Sequence, residues 1–312
     1  MNYELQLESF PSGDGKSTVA ARIYVPKNEE IKGVLQIAHG MKDHVERYEI
    51  LAEALTKEGY VVAGNDHIGH GRTAKDKKDL GFFAEEDSIN IILHDLHSMN
   101  RLLRTRFPEF KPVLLGHSMG SFLSRLYVNK YPHTVSGHII HGTGGPMGAI
   151  LPLGKALVNT VMLFKGKRGY SKLIANMAFM GYNSKFPKSE GECAWLTRDV
   201  ERVNGSDRNE YTTFPFSVSA YRDLFNMVGL SNSKKWFSAY PKELPTLVMS
   251  GNMDPVGNYG KGPSYVYKHL VMVGISDVTL RLYDGARHEL FNETCREEVF
   301  SDITNWLSGV FK

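Results

Sequence analysis

Cysteine is nearly missing from this chain: 312 residues carry two, Cys193 and Cys295. So few exclude a disulfide framework and a cysteine metal quartet. Charge of one sign is also missing. Lys and Arg number 37 against 34 Asp and Glu, a net charge of +3. That balance gives no basic surface for a nucleic acid, and no nucleic-acid partner is expected. No run reaches the roughly 18 apolar residues that a membrane span needs. The nearest, Ala149 to Phe164, is broken by Pro152, Gly154, Lys155 and Asn159, so it predicts an amphipathic helix. Met1 to Glu8 lacks the basic-then-apolar order of a secretory leader. A reducing, cytoplasmic setting is the expectation. Repeats and low-complexity tracts are absent too.

What is present is an ordinary globular balance, with 42% hydrophobic residues and 23% charged. That suits a large core, or a core carrying an insertion. Leu5–Phe10 and Ser17–Val25 alternate around a Pro-Ser-Gly-Asp-Gly turn, which predicts a hairpin. Apolar runs at 33–38, 60–63, 113–115, 137–141, 246–251 and 278–283 read as strands. Helical periodicity spans 48–57, 88–107, the segment after Ser118, and about 296–311. The β-α-β-α alternation predicts a doubly wound, mainly parallel sheet. From about Thr143 to Tyr240 the alternation stops. Helical, aromatic-rich sequence takes over, with loops expected at Lys165–Tyr170 and at Asn204-Gly205-Ser206-Asp207. Residues 1–142 and 241–312 are therefore expected to form the core, and 143–240 an inserted helical cap.

Gly116-His117-Ser118-Met119-Gly120 joins a predicted strand to a predicted helix. In that setting Gly-x-Ser-x-Gly is a nucleophile elbow: a serine on a strained turn whose neighbours must lack Cβ. Serine needs a base, and the base needs a carboxylate. Asp254, in Ser250-Gly251-Asn252-Met253-Asp254-Pro255-Val256, and His288, in Gly285-Ala286-Arg287-His288-Glu289, each follow a predicted strand. Ser118, Asp254, His288 is the nucleophile–acid–base order of α/β-hydrolases. Asp277, Asp284 and His269 fit that order less well. The bland readings are an Asx-Pro turn at Asp254 and a helix-entry residue at His288.

His39-Gly40-Met41 ends the first parallel strand, so the backbone N–H groups of Met41 and Met119 are the expected oxyanion donors. Asp66-His67-Ile68-Gly69-His70-Gly71 reads as a structural turn; its glycine-rich spacing completes no metal set. His94 and His97 read as one partly solvated helix face. Gly142-Thr143-Gly144-Gly145-Pro146 lacks the Lys-Ser/Thr of a phosphate loop and reads as the hinge into the insertion. Phe179, Phe214, Phe216 and Val256 are candidate walls of an acyl pocket over Ser118.

The chain resembles the monoacylglycerol lipase and lysophospholipase branch of the α/β-hydrolases, also grouped with serine aminopeptidase-type hydrolases. The residues that carry the resemblance are His39-Gly40 with Asp43-His44-x-x-Arg47-Tyr48, Asp66-His67-x-Gly69-His70-Gly71, Gly116–Gly120, Ser250-Gly251-x-x-Asp254-Pro255-Val256 and Arg287-His288-Glu289-Leu290-x-Asn292-Glu293. Asp43 stands where the family usually has Glu, Ile68 where another residue is common, and Thr73 where Ser is common. The resemblance implies the Ser118/Asp254/His288 triad, a helical cap, no cofactor, and hydrolysis of a lipid-like ester, monoacylglycerol or lysophospholipid. Peripheral contact of the cap with a membrane or micelle surface is part of that expectation. Two alternatives stand beside it: a short-chain carboxylesterase or peptidase of the same superfamily, and a non-catalytic ligand-binding protein on this fold.

Overall fold

The apolar runs assemble into one eight-stranded sheet, β1 (Tyr3–Pro11), β2 (Thr18–Pro26), β3 (Gly33–Ala38), β4 (Tyr60–Asn65), β5 (Val113–His117), β6 (Gly137–His141), β7 (Thr246–Gly251) and β8 (Val278–Tyr283). The computed structural model describes residues 1–199, 201–202 and 208–312. The Asn204–Asp207 loop expectation lies outside the described residues. Strand order is β1-β2-β4-β3-β5-β6-β7-β8, with β1 and β2 antiparallel and all pairs from β4 to β8 parallel. This is the mainly parallel sheet expected from the alternation, in the arrangement that the resemblance to α/β-hydrolases implies. β3 to β7 are buried along their whole length, which is why they read as near-continuous apolar runs. β1 alternates because one face meets solvent.

The two faces of the sheet are covered by different helices. On one side α1 (Glu49–Lys57) and the C-terminal α9 (Arg296–Val310) bury Leu51, Leu55, Ile303 and Leu307 against Leu35, Ile37, Leu115 and Met249. On the other, α2 (Ser88–Arg106), α3 (Met119–Lys130) and α8 (Lys261–Met272) bury Leu96, Leu123 and Val266 against Leu114, Ile140 and Val248. Within β5, Leu114 faces one layer and Leu115 the other, as the two-residue strand period requires.

Between β6 and β7 the chain forms α4 (Ile150–Lys165), α5 (Lys172–Ala178), α6 (Val218–Ser231) and α7 (Lys234–Ser238). α4 packs on α6, and α6 packs on α3. Phe216, Tyr221 and Met227 join the core that holds Leu123 and Ile140. Arg125 fastens this layer from below. Its fully buried guanidinium donates to Thr143 Oγ1 (3.3 Å), Asn232 Oδ1 (3.1 Å) and the Ser231 carbonyl. It also lies 4.4 Å from the Trp236 ring centre. Tyr240 OH binds His138 of β6 (2.9 Å) and Thr246 of β7 (2.6 Å), returning the chain to the sheet.

Candidate active site

Ser118 links β5 to α3 with φ 54° and ψ −119°. A non-glycine residue there is strained by roughly 1–3 kcal/mol, so the surroundings must impose it. Ser118 N–H donates to the His141 carbonyl (3.0 Å), while its own carbonyl accepts from Ser121 Oγ (2.6 Å). The flanking glycines make the turn sterically feasible. A Cβ on Gly120 would sit 1.9 Å from the Ala38 carbonyl oxygen; one on Gly116 would sit 2.1 Å from Ser124 Oγ. The elbow thus presses α3 onto the end of β3.

Asp254 and His288 leave the ends of β7 and β8 on the same edge of the sheet. The structure brings them together: His288 Nδ1 is 2.9 Å from Asp254 Oδ2, and both side chains are buried. Asp254 Oδ2 also accepts from Ser250 Oγ (3.1 Å), and Oδ1 accepts from Val256 N–H (2.8 Å). With the carboxylate accepting at Nδ1, the Nε2 of a neutral His288 is left as the basic nitrogen. The Trp195 ring lies 5.1 Å from the His288 ring, and His117 lies 4.8 Å from it. Asp284 instead accepts from Asn252 (2.7 Å), and His269 bonds within α8 to the Tyr265 carbonyl (2.9 Å).

The loop after β3 is built by Asp43. Its buried carboxylate accepts from Gly40 N–H (3.2 Å), His44 N–H (2.9 Å), Tyr48 OH (2.7 Å) and Arg47 Nη1 (2.9 Å). Burial pushes the Asp43 carboxyl up, but Arg47 and the nearby histidines outweigh it and hold it well below the usual carboxylate range. Arg47 reaches on to Glu289 with two bonds (3.0 and 2.8 Å), and Asn292 completes that carboxylate (2.8 Å). An Asp43–Arg47–Glu289 bridge therefore ties the loop that carries Met41 to the loop that carries His288. Among the described residues neither Met41 N–H nor Met119 N–H is given to a backbone acceptor. Met119 opens α3, where N–H groups lack intrahelical partners.

Buried histidines pack beneath the site. His39 Nε2 accepts from His67 N–H (2.9 Å), so the His39 proton resides on Nδ1 and is donated to the Gly40 carbonyl (2.8 Å). Burial, then the neighbouring His67 and His70, hold the His39 imidazole well below the usual histidine range. Asp66 accepts from Val45 N–H (2.9 Å) and Arg72 N–H (2.8 Å), so it shapes the turn under this group.

A cavity of about 1310 Å³ opens above Ser118. Met41, Met119, Ser118 and His288 line it, together with Phe179 and Val256. Phe214 and Phe216 do not, a correction to the expectation. They are buried (6% and 0% exposed) and pack edge-on against His70, each 5.4 Å away, as core beneath the helical layer. Aromatic residues in an insertion serve the core or a pocket, and composition does not separate the two. Sequence reasoning also missed Trp195 and Lys42 in the cavity wall and the bond of Ser250 to Asp254, and left Tyr182 and Phe225 undistinguished among the aromatic residues of the insertion. Asp43, Arg47, Ser250 and Glu289 carried a signal, through the family resemblance.

A model of the serine aminopeptidase, S33, family matches residues 29–295. The chain is 24% identical to a monoacylglycerol lipase of Mycolicibacterium smegmatis over 302 residues, 95% of each chain. It is 26% identical to the monoglyceride lipase of Rattus norvegicus over 281 residues, covering 89% of this chain and 82% of the relative. A thermostable carboxyl esterase from Bacillus coagulans, solved in complex with glycerol, superposes with a TM-score of 0.88 at 29% identity over 99% of both chains.

Proposed function

This chain belongs to the serine aminopeptidase, S33, family of α/β-hydrolases, and on that premise we propose that it hydrolyses lipid-like carboxylic esters, monoacylglycerol or lysophospholipid, through Ser118, His288 and Asp254. The observation that carries the reading is the junction of a buried His288–Asp254 pair at 2.9 Å with a strained Ser118, both His288 and Ser118 facing a cavity of about 1310 Å³. A long acyl chain fits such a volume, whereas a short-chain esterase has no use for most of it. The named lipases that resemble the chain support a monoacylglycerol substrate, and the carboxyl esterase supports ester hydrolysis.

Ser118 Oγ attacks the ester carbonyl while His288 Nε2 takes its proton. Asp254 holds Nδ1–H and stabilises the imidazolium. The tetrahedral oxyanion lies between the Met41 and Met119 N–H groups, at the positive end of α3. His288 then protonates the departing alcohol, and a water repeats the cycle to release the acid. The apolar walls Leu151, Leu157, Phe225 and Val228 take the acyl chain. A peptidase acting on a free amino terminus needs an anionic group to receive it. Of the carboxylates that line the cavity, Asp43 and Glu289 are taken up by Arg47 and Glu192 is exposed beside Lys42 and Arg208, which disfavours that alternative.

Residues 143–240 act as the cap in this reading. Ile150, Leu153, Leu163 and Phe164 of α4 are 66–85% exposed, with Lys165 and Lys167 beside them. That face is suited to a membrane or micelle surface from which a lipid ester is drawn. Among the described residues no helix is long and apolar enough to cross a membrane. The half-buried free thiols of Cys193 and Cys295 suit a cytoplasmic setting. Hydrolysis of 1-monoacylglycerols and lysophospholipids of graded chain length by wild-type and Ser118→Ala protein tests the reading. Ser118→Ala hydrolysing at the wild-type rate would sink it.

A further inference from the structure

We infer that Lys42, with Arg208, forms a subsite in the cavity for a phosphate group carried on the alcohol part of the ester. The inference rests on the ester-hydrolase reading above and narrows it to amphiphiles with an anionic head.

Lys42 follows Met41 and has φ 54°, a left-handed backbone that a lysine adopts only under constraint. The constraint is Asp43, which accepts from the N–H groups of both Gly40 and His44 and so closes the loop around Lys42. Asp43 turns inward to Arg47 and Tyr48, while Lys42 turns into the cavity. Its ammonium lies 5.9 Å from the centre of the Phe179 ring. Burial pulls it below the ordinary lysine range. Among the described residues no carboxylate is paired with it, and the ionisable group that acts on it is the Cys193 thiol. The two nearest loop carboxylates are committed elsewhere: Asp43 to Arg47 and Tyr48, Glu289 to Arg47 and Asn292.

The Cys193 thiol feels Arg208, Glu289, Glu192 and Lys42 together, so these charges share one end of the cavity. Glu192 and Arg208 are both exposed at the rim, and Asp43 and Glu289 share Arg47, so among the described residues Lys42 is the half-buried cation of this end without a carboxylate of its own. This end lies on the His288 side. Trp195 stands 5.1 Å from His288, and Glu289 N–H donates to the Leu196 carbonyl at 2.7 Å. His288 delivers the proton to the leaving alcohol, so the cations face the alcohol and not the acyl chain. The opposite walls from α4 and α6 are apolar. A desolvated cation lacking a counter-ion is unfavourable until an anion reaches it. A phosphate on the leaving alcohol supplies charge-assisted hydrogen bonds there.

The test uses full-length Ser118→Ala protein and two non-hydrolysable ethers of equal chain length, a 1-O-alkylglycerol and its 3-phosphate. Calorimetric titration gives the ratio of their affinities. Tighter binding of the phosphate ether is expected. In Ser118→Ala/Lys42→Met that ratio falls about 10-fold or more, and Lys42→Arg restores it. A ratio unchanged by Lys42→Met overturns the subsite. Inorganic phosphate binding alone as tightly as the phospho-ether overturns a lipid headgroup as its occupant. Wild-type hydrolysis of the matching ester substrates separates the two readings. Hydrolysis with a flat ratio removes the subsite only. A preserved ratio without hydrolysis supports the subsite and removes the esterase reading.

Discussion

His39 Nδ1 lies 2.8 Å from the carbonyl oxygen of Gly40, and that carbonyl shares a peptide group with the Met41 N–H. A hydrogen bond to one side of a planar peptide fixes the direction of the other. His39 therefore aims the proposed oxyanion donor without touching substrate. Its Nε2 is held by His67 N–H at 2.9 Å, which selects the tautomer that can donate to Gly40.

His39→Asn is expected to lower kcat roughly 10-fold with KM changed less than about 3-fold. Misdirecting a donor loses part of the on-the-order-of 100-fold that full loss of one removes. Steady-state kinetics on a soluble monoacylglycerol checks this. A change confined to KM would assign His39 to substrate binding instead.

Asp254→Asn should lower kcat by about 10⁴-fold while leaving the fold intact. An amide in place of the carboxylate favours the wrong imidazole tautomer and no longer stabilises imidazolium. Ser250→Ala, which removes one of the bonds to Asp254, is expected to reduce kcat only several-fold. Comparable losses from both variants would contradict this ranking.

Arg47→Met leaves two buried carboxylates, Asp43 and Glu289, without their shared cation. All three bonds are at 3.0 Å or less, and the three side chains are at most 11% exposed. Loss of stability by about 3–5 kcal/mol is expected in urea unfolding. The double variant Arg47→Met/Glu289→Gln should recover part of it, because one uncompensated charge is removed. No recovery would place the effect of Arg47 in packing.

Buried histidines set the acid limit of the fold. Burial first, with neighbouring cationic or imidazole groups second, lowers His67 to about 3 and His138 to about 3; burial lowers His70 to about 4. Unfolded histidine titrates near pH 6.5. Between those values the unfolded chain binds more protons than the folded one, so stability falls as pH drops below about 6.5 and continues falling to about pH 4 for His70 and about pH 3 for His67 and His138. Each such histidine contributes roughly 1.4 kcal/mol per pH unit across that window. Urea midpoints measured from pH 7.5 to 5 should fall steadily. A flat profile would mean that these rings are solvated in solution.

Much of the fold was legible because its strands are buried on both faces. A strand such as Val113–His117 has no polar face, so it stands out as an apolar run between helical periods. Gly116 and Gly120 were legible for a different reason: the elbow tolerates no Cβ at either position, so chemistry shows directly in residue type. Phe214 and Phe216 were misread because aromatic character does not say which side of a helical layer a ring faces. The Arg47–Glu289 bridge joins residues 242 positions apart, a partnership no local pattern encodes.

Residue order along the chain determined which serine, acid and histidine compete for one chemistry, since each follows a strand and parallel strands end on a common edge. Local sterics and polarity sufficed for that. Only the tertiary structure decided that Asp254 meets His288 at 2.9 Å and that Trp195 covers the imidazole. It also directed Lys42 into the cavity while the adjacent Asp43 turned away to Arg47. These are contacts between side chains from distant segments, and their energies depend on burial and distance, which appear only once the chain has packed.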